Sequence, residues 1–162
     1  MELGYFKIPG HSTKRNWAVY IFVAKPKKKD KRNYFYVGKV GDNRDGCNPV
    51  ISRVGNHFSY NKVHSQIRNS ISNTENYDYE YFYCHFDKYD SKKELRIRDR
   101  EKINELEREL NRIVQVKLDK SKSILLNPYV GNHISKKEKE RRAKILTTEE
   151  KAILLKLCEK AL

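Results

Sequence analysis

Paired cysteines, membrane-length apolar runs and enough acid to balance its base are what this 162-residue sequence lacks. Its three cysteines, Cys47, Cys84 and Cys158, form no Cys-x-x-Cys pair, and their odd number gives no disulfide framework. They read as reduced thiols. The five histidines are scattered, with no His-x-x-x-His spacing, so a structural zinc site is not expected. No apolar stretch reaches spanning length, and the opening MELGYFKIPGHSTKRN has no apolar signal core. The expectation is a cytoplasmic protein outside the membrane. Acidic residues number 21 against 35 lysines and arginines, a formal net charge of +14. Such an excess opposes compaction unless a partner neutralises it. Nucleic acid is the first candidate, ahead of an anionic membrane surface.

What is present reads as a mixed chain. WAVYIFVA (17–24) is an apolar, β-branched and aromatic run of strand length. KPKKKDKR follows as a charged loop, and NYFYVGKV (33–40) is a second strand, so 17–40 predicts a hairpin. VISRVGNHF has helical spacing through Val50, Val54 and Phe58. A short helix is expected within KVHSQIRNSISNTEN, and the alternation of YDYEYFYCHF (77–86) predicts a third strand. Residues 91–118 form the clearest helix, with Ser91 and Glu94 spaced for a capping box and Ile103, Leu106, Leu110, Ile113 and Val114 on one stripe. KKEKERRAKI is basic and helical, and an amphipathic helix follows Thr148. The expected class is α/β (α+β): a small, mainly antiparallel three-stranded sheet flanked by helices. Residues 1–132 would form the domain. Residues 133–162 would form a basic helical tail packed on it or at a dimer interface.

The order of residues resembles the GIY-YIG nuclease family. Ala18-Val19-Tyr20 stands for the first tripeptide, departing from Gly-Ile at two positions, and Tyr36-Val37-Gly38 for the second. Arg53 and His57 match the family's Arg-x-x-x-His, and a glutamate-bearing helix follows. The likeness spans roughly residues 17–132. REKINELERELN offers four glutamates. At about 100° per residue from Ile103, Glu107 falls near +40°, at the edge of the apolar stripe, and Glu105 near 200°, facing away. Glu107 also sits in LEREL, similar to the family's Leu-Glu-x-x-Leu.

The resemblance implies metal-dependent phosphodiester hydrolysis. Glu107 would hold Mg²⁺ or Mn²⁺, since a hard cation takes oxygen ligands and keeps several waters. Tyr20 would be the general base or would orient the water, Tyr36 would bond the phosphate or water, and Arg53 would grip phosphate with its planar fork. A tyrosine base needs its ordinary pKa of about 10 lowered, and Lys39 and Arg53 are the cations expected to do so. Lys39 and His57 complete the catalytic set. Gly38 would let backbone and substrate approach closely.

Double-stranded DNA is the expected partner. Lys39, Arg53, Tyr60 and Asn127 are candidate contacts, with Asn43 and Arg44 in the GDNRDGCNP loop placed to read bases. Arg141 and Arg142 lie in the basic segment and would grip phosphate. A free-standing domain of this size resembles a sequence-specific type II restriction endonuclease. One site per chain and two strands to cut imply a homodimer. The alternatives are a nicking or degradative nuclease of a phage or mobile element, and a non-catalytic nucleic-acid-binding module.

Overall fold

The computed structural model describes residues 1, 3–28, 31–41, 47–131 and 134–162. Four strands form one sheet: β1 (Asn16–Pro26), β2 (Asn33–Val40), β3 (Tyr77–Lys88) and β4 (Ser123–Leu125). Their spatial order is β3-β1-β2-β4, with β1 antiparallel to both β2 and β3, and β4 parallel to β2. Helices α1 (Val50–Phe58) and α2 (Gln66–Ser70) precede β3; α3 (Lys93–Lys117) follows it; α4 (Lys136–Ala143) and α5 (Thr148–Ala161) close the chain. The class is α+β.

Trp17 to Ala24 are all buried. An inner strand covered on both faces has no polar side to show, which is why WAVYIFVA does not alternate. Phe22 and Ala24 pack with Val54 and Phe58 of α1 and Ile67 of α2. Val19, Ile21 and Val23 point the other way, into a core shared with Ile103, Leu106, Leu110 and Val114 of α3 and Leu154, Leu157 and Cys158 of α5. The terminal helix is thus part of the main core.

Three expectations need correction. The sheet has a fourth strand: SIL at 123–125 is too short to display a period, and its pairing with Asn33–Phe35 comes from the loop that follows α3. The Ser91–Glu94 capping box is absent. Helix α3 starts at Lys93 without a side-chain cap, and Asp90 Oδ1 accepts the Lys92 N–H at 2.8 Å. A capping box does open α5, where Thr147 Oγ1 accepts from the Glu150 N–H at 3.1 Å and Glu150 Oε2 accepts the Thr147 N–H at 2.9 Å.

Glu105 is the third. It does face away from the sheet, yet it is 3 % exposed. Arg108 and Arg112 donate to it at 3.0 and 3.3 Å, and with Tyr129, Arg142 and Leu146 it lines a cleft of about 500 Å³. Helix α3 is covered on two sides, so a single apolar stripe under-describes its burial. Its ion pairs are structural: a buried carboxylate needs partners to offset lost hydration.

Leu154→Ala should lower unfolding free energy by about 2–5 kcal/mol, because the side chain is fully enclosed. Leu155→Ala, one residue on and 39 % exposed, should stay within about 1 kcal/mol. Urea denaturation of both variants checks the pair.

Candidate active site

Tyr20 sits on β1 and faces α1. Its cross-strand partner on β2 is Gly38. A Cβ at position 38 would collide with the hydroxyl end of the Tyr20 ring. The missing side chain therefore makes room for Tyr20; the space is not left for substrate, as the sequence suggested. Tyr81, in the neighbouring strand β3, stacks on the same ring with centroids 4.7 Å apart.

Helix α1 supplies the partners of that hydroxyl. Arg53 and His57 are four residues apart, so one helical face carries both. Arg53 Nε donates to the Tyr20 hydroxyl at 3.2 Å, and His57 Nε2 lies 2.8 Å from the same oxygen. The imidazole is fully buried, edge-on to the rings of Tyr20 and Tyr36. With Nε2 unprotonated, the hydroxyl donates to it while accepting from Arg53. Nδ1 then carries the ring proton and has no partner among the described residues.

Beside this group the edge of β2 opens. β4 covers β2 only as far as Phe35. Asn127 then extends the pairing with its side chain: Oδ1 accepts the Val37 N–H at 3.1 Å and Nδ2 donates to the Val37 carbonyl at 2.7 Å. Past that clamp, a cleft of about 220 Å³ runs round the strand edge between α1 and α3. Tyr36, Lys39, Asn48, Arg53, Asn56 and Glu107 line it. Lys39 Nζ lies 3.1 Å from Glu107 Oε2 and also donates to Asn104 Oδ1.

The charge states follow from burial. Burial lifts the Tyr20 hydroxyl well above its ordinary pKa, and the nearby Arg53 cation offsets only part of that. The expectation of a depressed tyrosine is overturned: Tyr20 is a neutral phenol here. Burial also raises Tyr36, again against the pull of Arg53. His57 is pushed down to about 3, first by burial and then by Arg53, and is neutral at physiological pH. Burial works against the Arg53 cation, but the guanidinium is not lowered overall and stays charged.

Of the residues expected from sequence, Tyr36, Lys39, Arg53 and Glu107 meet on one cleft, with Tyr20 and His57 bonded behind Arg53. Asn127 is near, but its amide is committed to the β2 backbone and not turned to a ligand. Tyr60 is 88 % exposed beyond α1, with the Arg68 guanidinium 4.3 Å over its ring. Arg141 and Arg142 are on α4, do not line this cleft and are paired with Glu138. Asn43 and Arg44 lie outside the described residues. Asn48, Asn56, Asn104 and Tyr81 were not anticipated. Asn56 and Asn104 each sit three residues from a predicted site residue on the same helix, a spacing that could have flagged them.

Among the described residues there is no cluster of three or more metal-ligating side chains. Glu107 is the carboxylate of the cleft, with 27 % of its side chain exposed. One such oxygen donor fits Mg²⁺, which keeps most of its waters and adds substrate phosphate oxygens. It does not fit zinc. No described helix is long and apolar enough to cross a membrane.

Two measurements check this geometry. Gly38→Ala should cost about 1–3 kcal/mol by forcing Tyr20 from its seat. His57 is neutral when folded and titrates near 6.5 when unfolded, so protons favour the unfolded chain. Stability should therefore fall as pH drops below about 6.5 and on toward about 3, approaching about 1.4 kcal/mol per unit. A His57→Gln variant, melted over the same range, should lose that part of the slope.

Comparison with protein-family models, with curated proteins and with solved structures gives no match for this chain.

Proposed function

We propose that this protein is a metal-dependent DNA endonuclease of the GIY-YIG type, acting as a sequence-specific restriction enzyme and working as a homodimer on double-stranded DNA. The carrying observation is the convergence of Tyr36, Lys39, Arg53 and Glu107, from β2, α1 and α3, on one cleft. These are a phosphate fork, an ammonium, a hydroxyl and a hard-cation ligand.

Arg53 is held to Tyr20 through Nε, which leaves its two terminal nitrogens to bind phosphate oxygens. Lys39 adds positive charge where the pentacovalent phosphorane develops negative charge. Glu107 would hold Mg²⁺, which when bound supplies charge stabilisation and a more acidic water. Tyr20, a buried neutral phenol that gives its one proton to His57 and accepts from Arg53, acts by fixing Arg53 rather than as the base. Water adds to phosphorus and the bond to the 3′ oxygen breaks, giving 5′-phosphate and 3′-hydroxyl ends. The net charge of +14 draws DNA to the protein and makes binding salt-sensitive.

Supercoiled plasmid with Mg²⁺, with and without chelator, tests the reading. Cleavage should require the metal and give discrete fragments. Tyr20→Phe and Glu107→Gln should each slow it by about 10²–10⁴-fold while retaining duplex binding. A smear would indicate a degradative nuclease. Binding without cleavage would leave only a binding module, and a fully active Tyr20→Phe protein would remove the tyrosine from the chemistry.

A further inference from the structure

A second groove adjoins the first. It runs between α3 and α4, has a volume of about 390 Å³, and is lined by Arg100, Arg108, Arg141 and Arg142 with Glu101 and Asn104. Four guanidinium groups thus meet in one groove. Arg100, Asn104 and Arg108 are spaced four residues apart and so share a face of α3. Arg100 to Arg108 covers about 12 Å of helix, at about 1.5 Å per residue. A DNA strand places one charge about every 3.4 Å of axis, so that length faces several phosphates.

Three of the guanidinium groups are positioned by carboxylates. Arg108 Nη1 donates to Glu105 at 3.0 Å, Arg142 Nε to Glu138 at 2.6 Å, and Arg141 pairs with both Glu138 and Glu101. Arg108 and Arg142 have further donors beyond those bonds, because each fork carries five. Pairing of this kind fixes a fork's direction at low entropic cost and still leaves it able to bind phosphate.

Asn104 joins the two grooves. It lines this one, and its Oδ1 accepts from Lys39 of the active-site cleft. We infer that the α3–α4 groove seats the backbone of the DNA strand continuing from the scissile phosphate, which passes from Lys39 over Asn104 to the four arginines. The inference rests on the nuclease reading for what lies at the cleft. Charge complementarity and continuity with that cleft favour a nucleic-acid strand over an acidic protein. Glu101, paired with Arg141, competes with a strand for that arginine.

Fluorescence anisotropy of a short labelled DNA duplex, with chelator present and at several salt concentrations, tests it. Arg100→Gln/Arg141→Gln should bind at least about 10-fold more weakly, with a salt slope shallower by about 2. Lys120→Gln/Lys122→Gln, an equal loss of charge in the turn after α3, should lose much less. Glu101→Gln should bind more tightly than the unaltered protein, an effect that damage to the fold would not produce. Thermal melts verify that each variant is folded. The inference is overturned if the arginine variant binds no more weakly than the lysine variant, or if Glu101→Gln gains nothing. The plasmid assay separates the two claims. Absence of cleavage with groove-dependent binding intact removes the nuclease and keeps the groove. Wild-type binding and cleavage by the arginine variant removes the groove alone.

Discussion

The hydrogen bond from Arg53 to the buried hydroxyl of Tyr20 holds the site together. It exists because β2 has a glycine where β1 brings the tyrosine ring, and because α1 presents Arg53 and His57 on one face. The bond ties a helix to the inner strand of the sheet. It also fixes the direction of the guanidinium that lines the cleft. Without Gly38 the ring has no seat, and without the ring the arginine has no anchor.

Burial then sets the charges. Tyr20 and His57 are held neutral, while Arg53 stays charged because a guanidinium keeps its proton far above physiological pH even when partly buried. Lys39 and Glu107 neutralise each other across the cleft at 3.1 Å. A cation at Glu107 and a phosphate at Lys39 would replace one ion pair with two, so substrate and metal are suited to arriving together. Carboxylate–arginine pairing recurs in the α3–α4 groove.

Much of this was legible in the chain. The two long β1–β2 strands and α1 follow directly from β-branched runs and helical spacing. Glu107 could be separated from its neighbours by angle alone, because the stripe of Ile103, Leu106 and Leu110 faces the sheet. The buried state of Glu105 could not be read, since it depends on Tyr129, Arg142 and Leu146 returning to cover the back of α3. Nor could β4, three residues long and specified by its neighbour more than by its own sequence. Gly38 reads from the sequence as room for substrate, but the residue filling its space is 18 positions earlier, and only strand register identifies it. The tyrosine's ionisation was misjudged for a related reason. Sequence reveals nearby cations, but not how completely the ring is enclosed.

A crystal structure of the Glu107→Gln protein with duplex DNA tests the central claim most directly, since the substitution is close in shape and, on the proposed reading, stops turnover. The account predicts a backbone phosphate in the cleft, within hydrogen-bonding distance of Arg53 and Tyr36, with Tyr20 still bonded to Arg53. DNA bound on another face of the protein, with this cleft empty of phosphate, would contradict it.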